Sequence, residues 1–140
     1  MSNLNNESVT VSNDTVRDFY HRYVAAANAR DFDTIDTLMH DSILLNGQPV
    51  QKEEALAAFK WLTDTVPDYV WHIEDLFVDG NRIAARLRDT GTPAKTFFGA
   101  EPTGASIDFT EFASYKLRDG LFSEMWYLLD TAKITEQLNK

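Results

Sequence analysis

The chain has 140 residues, 44% of them hydrophobic and 12% aromatic, with no cysteine and a formal charge of −9. That length favours one domain with a core that needs no staples. The missing cysteine excludes disulfides, thiolate metal sites and a cysteine nucleophile, and an acidic chain without a Lys/Arg cluster is a poor partner for nucleic acid or an anionic membrane.

In chain order, residues 1–12 are Asn/Ser-rich and read as a loose tail, with one domain over 13–140. The polar start resembles no signal peptide, and no stretch is long and apolar enough to cross a bilayer. With no cysteine, a reducing cytoplasm is the expected location. Asn13 is the expected N-cap of a first helix over Asp14 to Ala27, where Val16, Phe19, Tyr20, Tyr23, Val24 and Ala27 recur at helical spacing. Asp31 can cap a short second helix whose apolar face is Phe32, Ile35, Leu38 and Met39. Ile43 to Leu45 reads as a short strand, and Gly47-Gln48-Pro49 as a turn. Gln51 to Thr65 reads as a third helix with Leu56, Phe59 and Leu62 inward, ended by Pro67.

From Tyr69 the texture is that of strands: Tyr69 to Val78, Arg82 to Thr90, Ile107 to Arg118 and Leu121 to Leu129, with Asp79-Gly80 and Asp119-Gly120 as hairpin signals. Thr131 to Leu138 suits a closing helix. Helices first and long antiparallel strands afterwards predict an α+β fold.

Strand facing follows from hydrophobicity. Pairing Phe77 with Ile83 through a bulged turn aligns Trp71, Ile73 and Phe77 with Ile83, Ala85 and Leu87, with Asp75 the one charge on that face. The opposite face carries His72, Glu74, Arg86 and Arg88. The same register in the second hairpin pairs Leu117 with Ser123. It turns Phe109, Glu111, Ala113, Tyr115, Met125 and Tyr127 inward, and Phe112, Glu124 and Trp126 outward. Two carboxyls, Asp75 and Glu111, and two phenols, Tyr115 and Tyr127, then share an apolar concave surface.

Several segments resemble the SnoaL-like polyketide cyclase and ester cyclase group of the nuclear transport factor 2-like superfamily. They are Ile73-Glu74-Asp75-Leu76, Gly80-Asn81-Arg82-Ile83-Ala84-Ala85-Arg86, the loop with Gly91-Thr92, Phe97, Gly99 and Pro102-Thr103-Gly104, and the tail with Asp119-Gly120, Glu124, Trp126 and Asp130-Thr131. The resemblance spans roughly Val16 to Leu138. It implies a cone-shaped curved antiparallel sheet with three N-terminal helices over its concave face, a small-molecule pocket between them, and a homodimer through the outer sheet face. It also implies cofactor-free acid–base chemistry. The group's catalytic histidine aligns with Ala113 and its catalytic aspartate with Tyr127, so neither residue type is kept.

In an apolar pocket a carboxyl holds its proton to higher pH and can serve as an acid or base near neutrality. A phenol beside it can donate a hydrogen bond to an enolate. Asp75, Glu111, Tyr115 and Tyr127 are therefore the candidate catalytic groups, and structural roles for the two carboxyls stay open beside that reading. Tyr20, Tyr23, Asn46, Trp61, Trp71, Phe109, Ala113 and Met125 are candidates for contact with the ligand. His21, His40 and His72 are scattered, and no metal, nucleotide or serine-hydrolase motif is present. The expected activity is that of a cofactor-independent lyase, isomerase or cyclase on a small, mostly apolar carbonyl compound. A non-catalytic small-molecule-binding or accessory protein of the same fold is the alternative, and a dimeric module with its pocket packed shut is a third.

Overall fold

A computed structural model of the chain describes residues 12–139. The expected tail therefore lies, except for Ser12, outside the described residues. Helix α1 spans Asn13–Asn28, and its cap is Ser12, one residue earlier than expected. The Ser12 hydroxyl accepts from the Thr15 N–H at 3.1 Å. Asn13 instead uses its side-chain oxygen to accept from the Gly80 N–H at 3.0 Å, tying the helix start to a hairpin. Asp31 caps the short helix α2, Phe32–Thr37, as expected. Strands β1 (Met39–Leu45) and β2 (Gln48–Gln51) follow, then helix α3, Lys52–Thr65. Next come β3 (Val70–Asp79), β4 (Arg82–Gly91), β5 (Ile107–Arg118), β6 (Leu121–Leu129) and helix α4 (Thr131–Leu138).

The strands form one six-stranded sheet in the order β2-β1-β6-β5-β4-β3. All neighbours are antiparallel except β1 and β6. Strands β4 and β5 alternate strictly between buried and exposed side chains. This is what a period-two pattern does when one face is packed and the other wet. The packed face meets the apolar stripe of α1, where Val16, Phe19, Tyr20, Tyr23, Val24 and Ala27 are all buried, as their spacing predicts. Among the described residues no helix is long and apolar enough to cross a membrane, which says nothing of strands.

The hairpin registers differ from expectation. Both turns are tight: Asp79 pairs with Arg82 and Arg118 with Leu121. Asp119 and Gly120 take φ of +53° and +79°, and Gly80 takes +61°. These left-handed turns match the twist of the flanking strands, so the turn itself needs no extra residue. The extra residue lies inside the strands instead, at Glu74 between Ile73 and Asp75, and at Ser123 between the partners of Leu117 and Lys116. Bulges there bend the sheet. Phe77 consequently pairs with Ala84, not Ile83, and points outward at 66% exposure. Leu117 pairs with Phe122, which is buried, rather than with Ser123. Beyond each bulge the expected facing returns, so Trp71, Met125 and Tyr127 line the concave side.

Candidate functional site

A cavity of about 110 Å³ lies between α1, α3 and the concave sheet face. A pocket packed shut is therefore not what this chain folds into. Glu111 and the tyrosines Tyr20, Tyr23, Tyr69, Tyr115 and Tyr127 are among its lining residues, and Trp71, Leu87 and Met125 are among its apolar walls. Trp61, Phe98 and Tyr127 line it while remaining exposed, and so mark where it meets solvent. Phe98 holds φ at +48° in a tight turn closed by paired hydrogen bonds between Phe97 and Ala100. That turn sets the Phe98 ring edge-on to Trp61, with centroids 5.8 Å apart.

Glu111 occupies an inward position of β5, opposite Leu87 on β4 and Leu129 on β6. One inward step along β4 from Leu87 is Asp89, with 0% exposure. The register sets Asp89 opposite Phe109, making it the diagonal neighbour of Glu111 on the same face. Each of the two carboxyl groups shifts the other's affinity for a proton. The Tyr69 hydroxyl donates to Asp89 Oδ2 at 2.5 Å. Asp89 Oδ1 and Glu111 Oε1 are both buried, and neither has a hydrogen-bond partner. Two ionised carboxylates so placed would repel, whereas a proton between them satisfies both oxygens.

Burial, and then the neighbouring Asp89, push the Glu111 carboxyl well above its ordinary range. Burial also raises Asp89, but hydrogen bonds from Glu111 and Tyr69 oppose that rise. Of the two, Asp89 is the better placed to carry charge. Burial raises the phenols of Tyr20, Tyr23, Tyr115 and Tyr127 above their ordinary 10.0, so each stays a neutral donor. The hydroxyls of Tyr20 and Tyr115 lie 3.2 Å apart.

Of the residues singled out from sequence, Glu111, Tyr115, Tyr127, Tyr20, Tyr23, Trp61, Trp71 and Met125 meet at this cavity. Four do not. Asp75 lies past the Glu74 bulge and is therefore turned to the outer face, where Arg86 Nη2 approaches its Oδ2 at 2.6 Å. Asn46 forms the β1–β2 turn with Gly47, at φ of +50° and +83°. Its side-chain oxygen is taken by the Tyr127 N–H at 2.8 Å, so it orients a strand rather than a ligand. Phe109 is buried core against Tyr69, with ring centroids 6.3 Å apart. Ala113 faces inward but is covered, and borders an outer groove instead of the cavity. Asp89, Tyr69 and Phe98 were not anticipated. Asp89 continues the alternation of Ile83, Ala85 and Leu87 by one step, and that was the available signal.

The histidines stay apart. His40 Nε2 donates to the Arg118 carbonyl at 2.6 Å, and His72 Nε2 lies 3.2 Å from Thr90 Oγ1. Among the described residues no group of three or more His, Cys, Asp or Glu is arranged to hold a metal.

No curated protein sequence matches the chain. Among solved structures, a SnoaL-like polyketide cyclase from Agrobacterium tumefaciens is 28% identical with a TM-score of 0.82, covering 87% of this chain and 96% of that one. IdmH from Streptomyces antibioticus is 24% identical with a TM-score of 0.80, covering 89% of this chain and 98% of its own. TsrD from Streptomyces laurentii is 24% identical with a TM-score of 0.82, covering 91% and 97% respectively. The last two show a shared fold. The family model described as SnoaL-like polyketide cyclase matches residues 17–138, a span that holds the whole sheet and every residue lining the cavity. This chain belongs to the SnoaL-like polyketide cyclase family.

Proposed function

We propose that the chain is a cofactor-independent acid–base enzyme, a lyase, isomerase or cyclase, acting on a small and mostly apolar carbonyl compound. Glu111 moves the proton. The observation that carries this reading is a buried carboxyl lining an otherwise apolar cavity beside neutral phenols. Proton removal next to a carbonyl needs a base with a raised pKa and a donor for the enolate oxygen. Tyr115 or Tyr127 is the donor. The cavity volume of about 110 Å³ is below the roughly 150 Å³ of an engineered cavity that takes up benzene. It therefore suits a molecule of about one ring, with anything larger reaching out between Trp61 and Phe98.

A non-catalytic binding protein is the rival reading. It is favoured by Ala113 and Tyr127, which stand where the family resemblance expects a histidine and an aspartate. Exchange of α-protons into a panel of small cyclic and aryl ketones in heavy water, followed by proton NMR, separates the two. Wild-type protein is expected to catalyse exchange that falls to background in Glu111→Gln. Ketones that bind without any exchange above background would overturn the enzyme reading in favour of the rival.

The same reading takes the outer sheet face as a homodimer interface. Phe77, Phe112, Trp126 and Leu128 lie there at 66%, 58%, 44% and 73% exposure. The registers align them in adjacent rows, Phe77-Ala84-Ser114-Trp126 and Asp75-Arg86-Phe112-Leu128. An apolar stripe of this kind, with Asp75 and Arg86 inside it, is what a self-complementary contact would cover.

A further inference from the structure

We infer that Asp89 and Glu111 act as one unit holding a single proton, with Asp89 the positioning residue that stores charge behind the cavity and Tyr69 the donor that fixes it there. This deepens the acid–base reading of Glu111 and rests on it for its chemical use, although the pair itself does not depend on turnover. Four observations carry it. Glu111 lines the cavity and Asp89 does not. Asp89 is wholly buried, with Oδ2 taken by the Tyr69 hydroxyl. Asp89 Oδ1 and Glu111 Oε1 are each buried without a hydrogen-bond partner, which a proton held by the pair can relieve. The strand register holds the two side chains on one face as diagonal neighbours.

The surroundings leave the pair without a counter-charge at close range. Facing it are Tyr69 just ahead of β3, His72 from β3, Tyr20 and Tyr23 from α1, Tyr115 from β5 and Tyr127 from β6. The α3 residues that line the cavity, Ala55, Ala58, Phe59, Trp61 and Leu62, carry no titratable group. His72 acts on Asp89 only through space and is hydrogen-bonded to Thr90. His72 is the one basic group that acts on either carboxyl, and it does so from outside hydrogen-bond contact, so the site favours a single charge on Asp89 over two.

The chemical consequence is a relay. A proton from the carbon beside a ligand carbonyl passes to Glu111, and the C–H electron pair stays on the ligand as an enolate. The proton that Glu111 already carried passes to Asp89. The pair ends with two protons and no charge, and the enolate oxygen carries the negative charge beside the phenols. Run backwards, the same relay delivers a proton to carbon. Glu111 stays neutral at both ends, so the buried cavity never faces an isolated carboxylate. Without Asp89, Glu111 must ionise first, in a place that penalises ionisation.

The test is a carboxyl titration by carbon-13 NMR on full-length protein labelled at Asp Cγ and Glu Cδ, with Glu111→Gln and Asp89→Asn assigning the two signals. In the wild type at pH 7 the Glu111 carbon is expected in the neutral-acid range and the Asp89 carbon in the ionised range. In Asp89→Asn the Glu111 midpoint is expected to fall by about one pH unit or more, because the neighbouring charge is gone. In Tyr69→Phe the Asp89 midpoint is expected to rise, because the donor that held the charge is gone. A purely structural role loosens packing and admits water, which lowers the midpoints in both variants and overturns the inference. So does a wild-type Glu111 ionised at pH 7, a result that stands even if Asp89→Asn does not fold. Titrations as expected in a protein that exchanges no ketone proton would sink the enzyme reading alone. Exchange that needs Glu111, with a pH profile and a Glu111 midpoint unmoved by Asp89→Asn, would sink the pair alone.

Discussion

Replacing Glu111 with Gln removes a group whose proton affinity differs between the folded and unfolded chain, and that difference is readable as a slope of stability against pH. In the unfolded chain Asp89 and Glu111 take their ordinary values, 3.8 and 4.5. Above about pH 5 they hold only a small and falling fraction of a proton there. In the folded chain burial raises both, and on the shared-proton inference the pair keeps one proton. The folded state then binds about one proton more than the unfolded state, so the free energy of unfolding falls as pH rises, by about 1.4 kcal/mol per pH unit. The stabilisation is complete below the unfolded values and is lost progressively until the folded pair gives up its proton. In Glu111→Gln the amide holds no titrating proton, so Asp89 titrates alone, still raised by its burial, and the slope from this source shrinks. Between about pH 5 and 6.5 the wild type should lose up to about 2 kcal/mol relative to the variant. Urea unfolding followed by tryptophan fluorescence at three pH values in that window measures it. All other titrating groups are common to the two proteins and cancel in the difference. Parallel stability curves for the two proteins would refute the reasoning, because they would mean that Glu111 binds protons alike in both states.

Three further outcomes are expected. Gly91→Ala should cost about 1–3 kcal/mol in urea unfolding, since a Cβ built there falls 2.5 Å from Val66 Cγ1 and 3.3 Å from the Tyr69 Cα. Phe112→Glu with Leu128→Glu should convert a dimer to a folded monomer in light scattering, and an unchanged mass would remove the outer face as the interface. A neutral ring-sized ketone at about a hundred times its Kd should stabilise the protein by about 2.7 kcal/mol in thermal unfolding, whereas the matching carboxylate should not, because on the shared-proton inference Asp89 holds a negative charge behind the cavity. Equal stabilisation by both would contradict that charge.

Much of the fold was legible because it depends on patterns that survive small errors of register. The stripe of α1 from Val16 to Ala27 and the alternation of β5 from Ile107 to Arg118 each state their buried face whatever the turn does. Asp31 as a cap and Asp119-Gly120 as a turn are chemical signals with one reading. The β1–β2 hairpin was not legible. Its strand Gln48–Gln51 is short, mostly exposed and contains Pro49, so it offers neither length nor alternation, and its edge position tolerates the proline.

The site was harder because facing depends on where an extra residue is accommodated, and hydrophobicity identifies a bulge without locating it. Trp71 and Ile83 both had to point inward, which requires one extra residue between them. Placing it in the turn puts Asp75 and Phe77 inside, whereas placing it at Glu74 puts them outside. The turn dipeptide decides, since left-handed residues close a two-residue turn without strain, and the bulge must then fall within the strand. Once Asp75 is outside, the charge beside Glu111 must come from β4, which carries no bulge. There the unbroken alternation from Ile83 leads to Asp89 in three inward steps. Asp89 stands deeper than Asp75 would have, so a carboxyl that touches no solvent replaces one that would have faced the ligand. That exchange moves the chemistry from two independent carboxylates to a single shared proton.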